Sequence, residues 1–386
     1  MTDLALISSM FPKRAFRLAA AAVVAACVMQ GAGAQRRLVL IDQDGSGPGG
    51  SNQMAMMVLL QSPRAEVLGI TMVTGDAWRD EETEHTLRML ELIGRTDVPV
   101  AKGAVFPLVR TEEETRLNVP LVGQVDWLGA WGQGPLTLGN TTAGGVSAKP
   151  AAMHAPEVVP PMPEGAPHTK AIDEDAAHFL IRQVHAHPHE VTIYAAGPLT
   201  NIALAIRIDP GFAELTQGIV MMGGSLNPQT DDPEFAESPR HEFNFWFDPE
   251  AAHIVLRAHW PRIDVTTVDV SIKAPFTQAM VEEISKSQQP AARYIAAWSQ
   301  DRYYLWDELA ACAWLDPSII TREKLVYMDV DLSHGPSYGN TLTWADAMRP
   351  ATDVQKVHAQ MDVDLGKFTQ EFVELMSAPT QDGGRK

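Results

Sequence analysis

The chain has 386 residues, of which 45% are hydrophobic and 20% charged, and its formal net charge is −18. This length and apolar content suit one large α/β domain or two ordinary domains with a sizeable core. A chain this acidic is repelled by nucleic acid and by anionic lipid, so a small neutral substrate is expected instead.

The first 34 residues have the pattern of a secretory signal peptide. Three cations within residues 13–17 precede an uncharged apolar stretch of small residues, and Ala32-Gly33-Ala34 offers a cleavage site. Cys27 follows small residues, which leaves a lipid-anchored form open. No later stretch approaches the roughly 20 apolar residues of a membrane span. We therefore expect an exported protein, periplasmic or secreted, with its catalytic domain in residues 35–386.

Apolar, strand-like runs alternate along the chain with amphipathic helical stretches. In chain order these are "RLVLID" before a helix near 52–61, "AEVLGITMVT" before one near 80–94, "EVTIYAA" before "LTNIALAIRI", "GIVMMGG" before a loop and "DPEAAHIVLRA", and "RIDVTTVDV" before helices near 276–287 and 290–314. Runs buried on both faces and followed by helices are typical of parallel strands. The pattern predicts an α/β fold with an open, mostly parallel sheet flanked by helices on both faces, in a single domain.

Two segments depart from this alternation. Residues 111–170 contain glycine-rich and proline-rich stretches that cannot form a regular ladder or helix, so we expect a long surface excursion there. Excursions of this length often shape a site. The last 60 or so residues predict further strands and a closing helix. Cys312 lies in the apolar pattern "ELAACAWL" and is expected to be a buried thiol.

Polar residues and glycines collect where the apolar runs end. In chain order they are Asp42, Asp44, Asp76, the segment from Ala195 to Pro198, and Gly223 with Gly224. The carboxyl ends of parallel strands meet at one edge of a sheet, where ligands bind. Glu242, Asn244 and Asp307 add further oxygen atoms. A hard cation such as Ca²⁺ is the simplest reason to gather so many oxygen ligands.

Several blocks of sequence carry a resemblance to a known family. They are "LVLIDQD", "SPRAEVLGITMVTGD", "EVTIYAAGPLTNIALAIRIDP", "GIVMMGG", "EFNFWFDPEAAHIVL" and "WDELAACAWLDPS". In these blocks the chain resembles the nucleoside hydrolases, the inosine-uridine-preferring superfamily, from about Leu38 to Leu315 and on to the C-terminus, as a divergent exported member. The resemblance implies a parallel-sheet α/β fold, Ca²⁺ at the strand ends, and hydrolysis of the N-glycosidic bond of ribonucleosides to free base and ribose.

The resemblance also implies roles for individual residues. Asp44 would be the general base that takes a proton from a Ca²⁺-activated water. The implied Ca²⁺ ligands are Asp44, Asn52, the carbonyl of Ala196 and Asp307. The residues implied to bind the sugar are Asp42, Ser51, Asn227, Glu242 and Asn244. Asp76 and Trp306 are similar to the purine-preferring group, in which an indole stacks on the base, so purine nucleosides are the favoured substrates.

One departure from the family pattern concerns the metal. The family has two aspartates at the start of the first helix, where this chain has Ser51 and Asn52. A bidentate anionic ligand would be lost, so either the ion binds more weakly or its site has been abandoned. An exported nucleoside- or sugar-binding protein without metal or catalysis is therefore one alternative. A second is a haloacid-dehalogenase-like phosphatase, because "LVLIDQDGSG" mimics the first motif of that class.

Structural interpretations of the same residues stay open at this stage. Asp42 and Asp44 could form turns at the strand end, and Asp76, Ser51 or Asn52 could cap a helix. Trp306 could be ordinary core packing. A homo-oligomer is also left open by the sequence.

Overall fold

The centre of the fold is a mostly parallel sheet. The computed structural model describes residues 36–123, 125, 127–132, 154–236, 242–299 and 303–381. Within these residues nine strands form the sheet, namely β1 Arg37–Gln43, β2 Ala65–Met72, β3 Val100–Lys102, β4 Val191–Ala195, β5 Gly218–Met222, β6 Ile263–Thr266, β7 Ile320–Val330, β8 Thr341–Trp344 and β9 Lys356–Val363. Their order is β3-β2-β1-β4-β5-β6-β9-β7-β8. All neighbours from β3 to β9 are parallel, whereas β7 pairs antiparallel with β9 and β8.

Helices cover both faces of this sheet, as predicted. Their bounds are α1 Gly50–Gln61, α2 Arg79–Ile93, α3 Glu112–Val122, α4 Ala176–Ala186, α5 Thr200–Ile208, α6 Pro233–Ala236, α7 Phe243–Phe247, α8 Pro249–Leu256, α9 Val268–Ser271, α10 Gln278–Ile284, α11 Pro290–Trp298, α12 Trp306–Leu315 and α13 Leu365–Ser377. One hydrophobic core lies between the sheet and α1, α2 and α10 to α13. A second core lies on the other face, under α4, α5 and α8.

The winding direction of the sheet reverses between β1 and β4. The chain passes outward from β1 through β2 and β3, and later from β4 through β5 and β6 on the opposite side. Asp42, near the end of β1, pairs in register with Thr71 of β2 and Ala195 of β4. The three strand ends are therefore level. Ligands of open α/β sheets bind outside the carboxyl ends of strands at such a reversal, which places the candidate site here.

The glycine-rich turn after β1 brings α1 back across these strand ends. Gly49 and Gly50 have φ angles of 77° and 85°, the left-handed region that favours glycine. The N–H of Gly49 donates to the hydroxyl of Tyr294 at 3.0 Å. Gly49 is the N-cap of α1, and no side chain caps this helix. Neither Ser51 nor Asn52 is therefore an N-cap residue.

The segment expected as a surface excursion has a helix at its start, before the glycine-rich and proline-rich stretches. The excursion near 111–170 begins with the eleven-residue helix α3. This helix forms because Thr111 accepts a hydrogen bond from the N–H of Glu114 and glutamates occupy its first turn.

The single helix expected near 290–314 is two helices, α11 and α12. The chain leaves the helical path because Tyr303 and Leu305 pair with Phe276 and Ala274, through backbone bonds of 2.7 and 2.8 Å. This pairing places the start of α12 at the strand ends.

The remaining expectations about the whole chain have different outcomes. Cys312 is buried in α12, as predicted. In the part of the chain that the structure describes, no helix combines the length and apolarity needed to cross a bilayer. The predicted signal peptide, Cys27 and the cleavage site lie outside the described residues.

Candidate functional site

Asp44 lies in the middle of the polar group at the strand ends. It follows β1 directly and is only 1% exposed. Its Oδ1 accepts a hydrogen bond from Asn52 Nδ2 at 2.8 Å, and its Oδ2 accepts one from the backbone N–H of Asp76 at 3.0 Å. Burial, together with the charges of Asp76 and Asp307, raises the pKa of Asp44 well above its usual value. The Asp44 carboxylate thus connects α1 with the loop after β2.

Two glycines allow backbone segments to approach this carboxylate closely. A β-carbon on Gly75 would lie 2.1 Å from Asp44 Oδ2, and one on Gly197 would lie 2.9 Å from Asp44 Oδ1. Any side chain at either position would displace the carboxylate or the loop. Because Gly75 and Gly197 have no side chains, the loops after β2 and β4 can pack directly against Asp44.

Asp307 reaches the same region from a distant part of the sequence, in the first turn of α12. Its Oδ2 accepts a hydrogen bond from Gln43 Nε2 at 2.9 Å, and its carbonyl accepts one from the Tyr194 hydroxyl at 2.8 Å. Burial raises the pKa of Asp307 to about 8; the Gln43 bond opposes this rise, and the charges of Asp76 and Glu242 add to it. Asp44, Asp76, Glu242 and Asp307 thus lie within electrostatic range of one another.

Ser51 and Asn52 lie in the first turn of α1, and both contact acidic side chains. Ser51 Oγ donates to Glu308 Oε2 at 2.6 Å and lies 3.4 Å from the N–H of Asp307. Asn52 donates to Asp44. The two residues that replace the family's aspartates therefore bind carboxylates that come from β1 and α12. They connect the two halves of the site.

Asp42 is fully buried just beneath the strand ends. Its Oδ2 accepts hydrogen bonds from Thr71 Oγ1 at 2.5 Å and from Asn201 Nδ2 at 2.8 Å. Asn201 also donates to the carbonyl of Met72 at 3.1 Å and accepts from the N–H of Ala104 at 2.8 Å. Burial raises the pKa of Asp42 to about 7, although both side-chain bonds oppose the rise. Through Asn201 of the "GPLTN" block, Asp42 links the ends of β1, β2 and β3.

The residues implied to bind the sugar have different surroundings. Glu242 caps α7, where its carboxylate accepts from the N–H groups of Asn244, Phe245 and Gly224 at 2.6, 2.9 and 2.9 Å. Asn244 Nδ2 donates to the carbonyl of Met222 at 3.0 Å, at the end of β5. Asn227 is exposed, and its N–H donates to Asp269 at 2.8 Å. Glu242 and Asn244 are thus fixed at the strand ends, whereas Asn227 lies on an outer loop.

Aromatic residues lie on two sides of this group. Trp306 is partly exposed, stacks in parallel with Tyr303 at 6.1 Å between ring centroids, and meets Tyr304 edge-on at 5.7 Å. Trp127 Nε1 donates to Asp76 Oδ1 at 2.6 Å. Asp76 is not a helix cap, because the N-cap of α2 is Trp78. Trp306 lies next to Asp307 in sequence, is partly buried, and packs against the hydrophobic core.

Three polar residues that belong to this group were not among those predicted from the sequence. Gln43 contacts both Asp44 and Asp307, Glu308 accepts from Ser51, and the buried Glu82 accepts from the N–H of Ala77 at 2.8 Å. Glu308 had a usable signal, because it is a charged residue inside an apolar helix. Gln43, between two aspartates at a strand end, had a weaker one. Glu82 had none, since it lies in the charged stretch "RDEETE" that is typical of a solvated surface.

The charge balance of the site suits a cation. Among the described residues, neither Asp44 nor Asp307 forms an ion pair with Arg, Lys or His, and one buried oxygen of Asp42 has no hydrogen-bond partner. Uncompensated buried carboxylates and amide oxygens are the ligands that Ca²⁺ takes. Asp44 and Asp307 are therefore of the chemical type that a cation binds. Among the described residues, however, the acidic side chains at the strand ends do not form a group of three ligand atoms within 4.8 Å of one another.

A different group of potential metal ligands lies elsewhere on the sheet. Asp264, Glu323 and His358 have ligand atoms within 4.8 Å of one another. The guanidinium of Arg262 already binds both oxygens of Asp264 at 2.6 Å and lies 3.7 Å from Glu323. A cation is thus already present there in the form of Arg262, so this group is not the candidate site.

Comparisons with known proteins agree with this fold and identify the family. The family model described as "Inosine-uridine preferring nucleoside hydrolase" matches residues 39–370. A probable uridine nucleosidase from Oryza sativa subsp. japonica is 30% identical, over 89% of this chain and 98% of the relative. An inosine-uridine preferring nucleoside hydrolase from Leishmania major is 27% identical, over 85% of this chain and 94% of the relative.

Solved structures give the same result for the fold. A plant nucleoside hydrolase has a TM-score of 0.66 at 26% identity and covers 89% of this chain and 99% of its own. A purine-preferring ribonucleoside hydrolase from Gardnerella vaginalis has a TM-score of 0.66 at 22% identity, covering 88% of this chain and 98% of its own, a likeness of fold alone. The chain belongs to the inosine-uridine preferring nucleoside hydrolase family, a family of N-glycosyl hydrolases. This membership decides against the phosphatase alternative.

Proposed function

We propose that the protein hydrolyses the N-glycosidic bond of ribonucleosides, with purine nucleosides favoured, and that Asp44 is the general base. In this reaction Asp44 takes the proton of the water that attacks the anomeric carbon. Glu242 and Asn244 hold the sugar at the strand ends, and the indole of Trp306 stacks on the base.

The geometry around Asp44 carries this proposal. A general base must be held in one orientation within hydrogen-bond reach of its proton donor. The two carboxylate oxygens of Asp44 each accept one N–H, from Asn52 and from Asp76, and this fixes the plane of the carboxylate. The same oxygens keep a second lone pair, which can accept a proton from water.

A Ca²⁺ ion held by Asp44, Asp307, Asn52 and the carbonyl of Ala196 is part of the proposal. When bound, the cation would supply Lewis acidity that makes water a stronger nucleophile. A positive charge beside Asp44 also lowers the pKa of this carboxyl group, so that the basic form prevails at neutral pH. Asn52 contributes a neutral ligand, so we expect a dissociation constant of about 10⁻⁴–10⁻³ M, as in extracellular calcium modules.

The preference for purines rests on Trp306. As the glycosidic bond breaks, the sugar gains positive charge and the leaving base gains electrons and then a proton. An aromatic face stabilises a protonated base, and the Trp306 indole is the partly exposed ring next to Asp307. Uridine is a second candidate substrate, because the 30% identical relative is named a probable uridine nucleosidase.

Base release from a panel of nucleosides tests the proposal. The purified protein is incubated with inosine, guanosine, uridine and cytidine, with Ca²⁺ or with chelator, and free base is measured by chromatography. We expect faster release of purines than of pyrimidines, slower turnover with chelator, and no turnover by Asp44→Asn. A nucleoside that raises the melting temperature without any release of base would instead favour the binding-protein alternative.

A further inference from the structure

Gln43 is the last residue of β1, and its fully buried side chain contacts both acidic residues of the proposed reaction. Its Oε1 accepts the backbone N–H of Asp44 at 3.1 Å. Its Nε2 donates to Asp307 Oδ2 at 2.9 Å, across a separation of 264 residues in sequence. One amide group therefore joins the end of β1 to the first turn of α12.

Alternation along the strand explains how one residue can do this. Neighbouring side chains of a strand point to opposite faces of the sheet. Asp42 points towards Asn201 of α5, so Gln43 points to the other face, where α12 packs. Gln43 is thus the β1 residue whose side chain reaches Asp307 from the strand end.

The backbone and the side chain of Asp307 are contacted by different residues. The Tyr194 hydroxyl binds the carbonyl of Asp307, and Ser51 lies against its N–H. Among the described residues, the hydrogen bond to the Asp307 carboxylate comes from Gln43. The backbone position of Asp307 is therefore fixed by other residues, while the rotation of its carboxylate is set by Gln43.

We propose that Gln43 is a positioning residue that holds the carboxylate of Asp307 in register with Asp44, with or without a cation. This inference rests on the proposed function. A neutral amide is suited to this task, because it satisfies Asp307 Oδ2 without adding charge and leaves the other carboxylate oxygen directed away from Gln43. The two acidic groups are then preorganised, and ordering them adds no cost when a ligand binds.

Gln43→Met tests this proposal against the matched control Gln61→Met. Gln61 is also fully buried, and it makes a hydrogen bond of 3.1 Å to the carbonyl of Ala378 at the far end of α1. Both variants replace a buried amide by an apolar side chain of similar size. A merely structural role predicts similar effects for the two, so the comparison isolates the effect on the site.

Two measurements are made on each variant. The first is kcat and KM for the best nucleoside of the panel, and the second is the Ca²⁺ concentration that gives half of the maximal rise in melting temperature. Removing a group that orients a ligand typically costs 10-fold to 100-fold in affinity or activity. We expect Gln43→Met to lower kcat about 10-fold with KM nearly unchanged, and to raise the Ca²⁺ midpoint about 10-fold. Gln61→Met is expected to change neither.

A second variant and the separate readouts keep the test decisive. Gln43→Leu also removes the donor to Asp307 and adds no titratable group, so it should lose kcat as Gln43→Met does. If both Gln43 variants match Gln61→Met in kcat and in the Ca²⁺ midpoint, the positioning role is wrong. If the unmodified protein hydrolyses no nucleoside, the proposed function fails instead, and the Ca²⁺ midpoint alone then decides the role of Gln43.

Discussion

Removal of the Ser51 hydroxyl should destabilise the protein more than removal of Ser51 and Glu308 together. The Ser51 hydroxyl donates to Glu308 Oε2 at 2.6 Å, and Glu308 is 0% exposed. The second oxygen of Glu308, Oε1, has no hydrogen-bond partner in the described part of the chain. Ser51→Ala would therefore leave a fully buried carboxyl group with neither oxygen satisfied by a side chain.

The magnitude follows from the cost of an unsatisfied buried group. A hydrogen bond to a neutral carboxyl group contributes about 0.5–1.5 kcal/mol, and a buried polar group left without a partner costs about 1–3 kcal/mol. We expect Ser51→Ala to lower the free energy of unfolding by about 2–3 kcal/mol. The double variant Ser51→Ala/Glu308→Met removes both polar groups, so it should recover about 1–2 kcal/mol of that loss.

Urea unfolding followed by tryptophan fluorescence measures these differences. The assay is run with chelator, so that a bound cation contributes nothing to the free energy of unfolding. Ser62→Ala is the control, because Ser62 is a buried serine at the other end of α1 that accepts a bond of 3.2 Å from the Arg64 N–H. A double variant that is no more stable than Ser51→Ala would show that the two side chains do not interact and would refute the reasoning.

Two further predictions concern Ca²⁺ and pH. In the proposed Ca²⁺ site, Asn52→Asp replaces a neutral ligand by a charged one, so it should tighten Ca²⁺ binding about 10-fold or more and lower the melting temperature in chelator. Calorimetry that shows unchanged affinity would contradict this. Burial raises the pKa of Asp248 to about 6 from an ordinary 3.8, so between these pH values the folded state retains a proton that the unfolded state releases. Stability should fall by about 3 kcal/mol as pH rises through this window, and unfolding of Asp248→Asn measured from pH 4 to 7 should lack this part of the slope.

The fold could be predicted because its signals are local. The helices expected near 52–61 and 80–94 are observed at Gly50–Gln61 and Arg79–Ile93. Each apolar run is long enough for a strand buried on both faces, and each following segment has helical periodicity. Parallel strands then require right-handed crossovers, so strand ends and acidic residues such as Asp42 and Asp44 fall on one edge. Asp42, Asp44 and Asp76 could be assigned to that edge for this reason.

The break between α11 and α12 could not be predicted, because its cause is not local. Residues 290–314 have helix-favouring apolar runs on both sides of a short polar stretch at 299–302, and no proline interrupts them after Pro290. The chain leaves the helix because Tyr303 and Leu305 pair with Phe276 and Ala274 instead. Tertiary hydrogen bonds here override the local preference. Without this break Asp307 would not lie in the first turn of a helix aimed at the strand ends.

The replacement of two aspartates by Ser51 and Asn52 has a different meaning once α12 is in place. In sequence alone the change removes two charges from the site. In the folded chain Ser51 donates a hydrogen bond to Glu308, and Asn52 donates one to Asp44. These two contacts involve two acidic side chains and no Arg, Lys or His side chain. Burial raises the pKa of Asp44, Glu82 and Glu308 well above their usual values.

Buried carboxyl groups of this kind can be stabilised by protons or by a cation, and the two must compete because both neutralise the same charge. In the proposed mechanism, burial without a cation favours the protonated form of Asp44, which would be a poor base. A bound cation would favour the ionised form of Asp44. The proposal therefore links cation affinity to pH and to the basicity of Asp44. Asp44 would then act as a base at neutral pH only where a cation displaces the proton that burial otherwise favours.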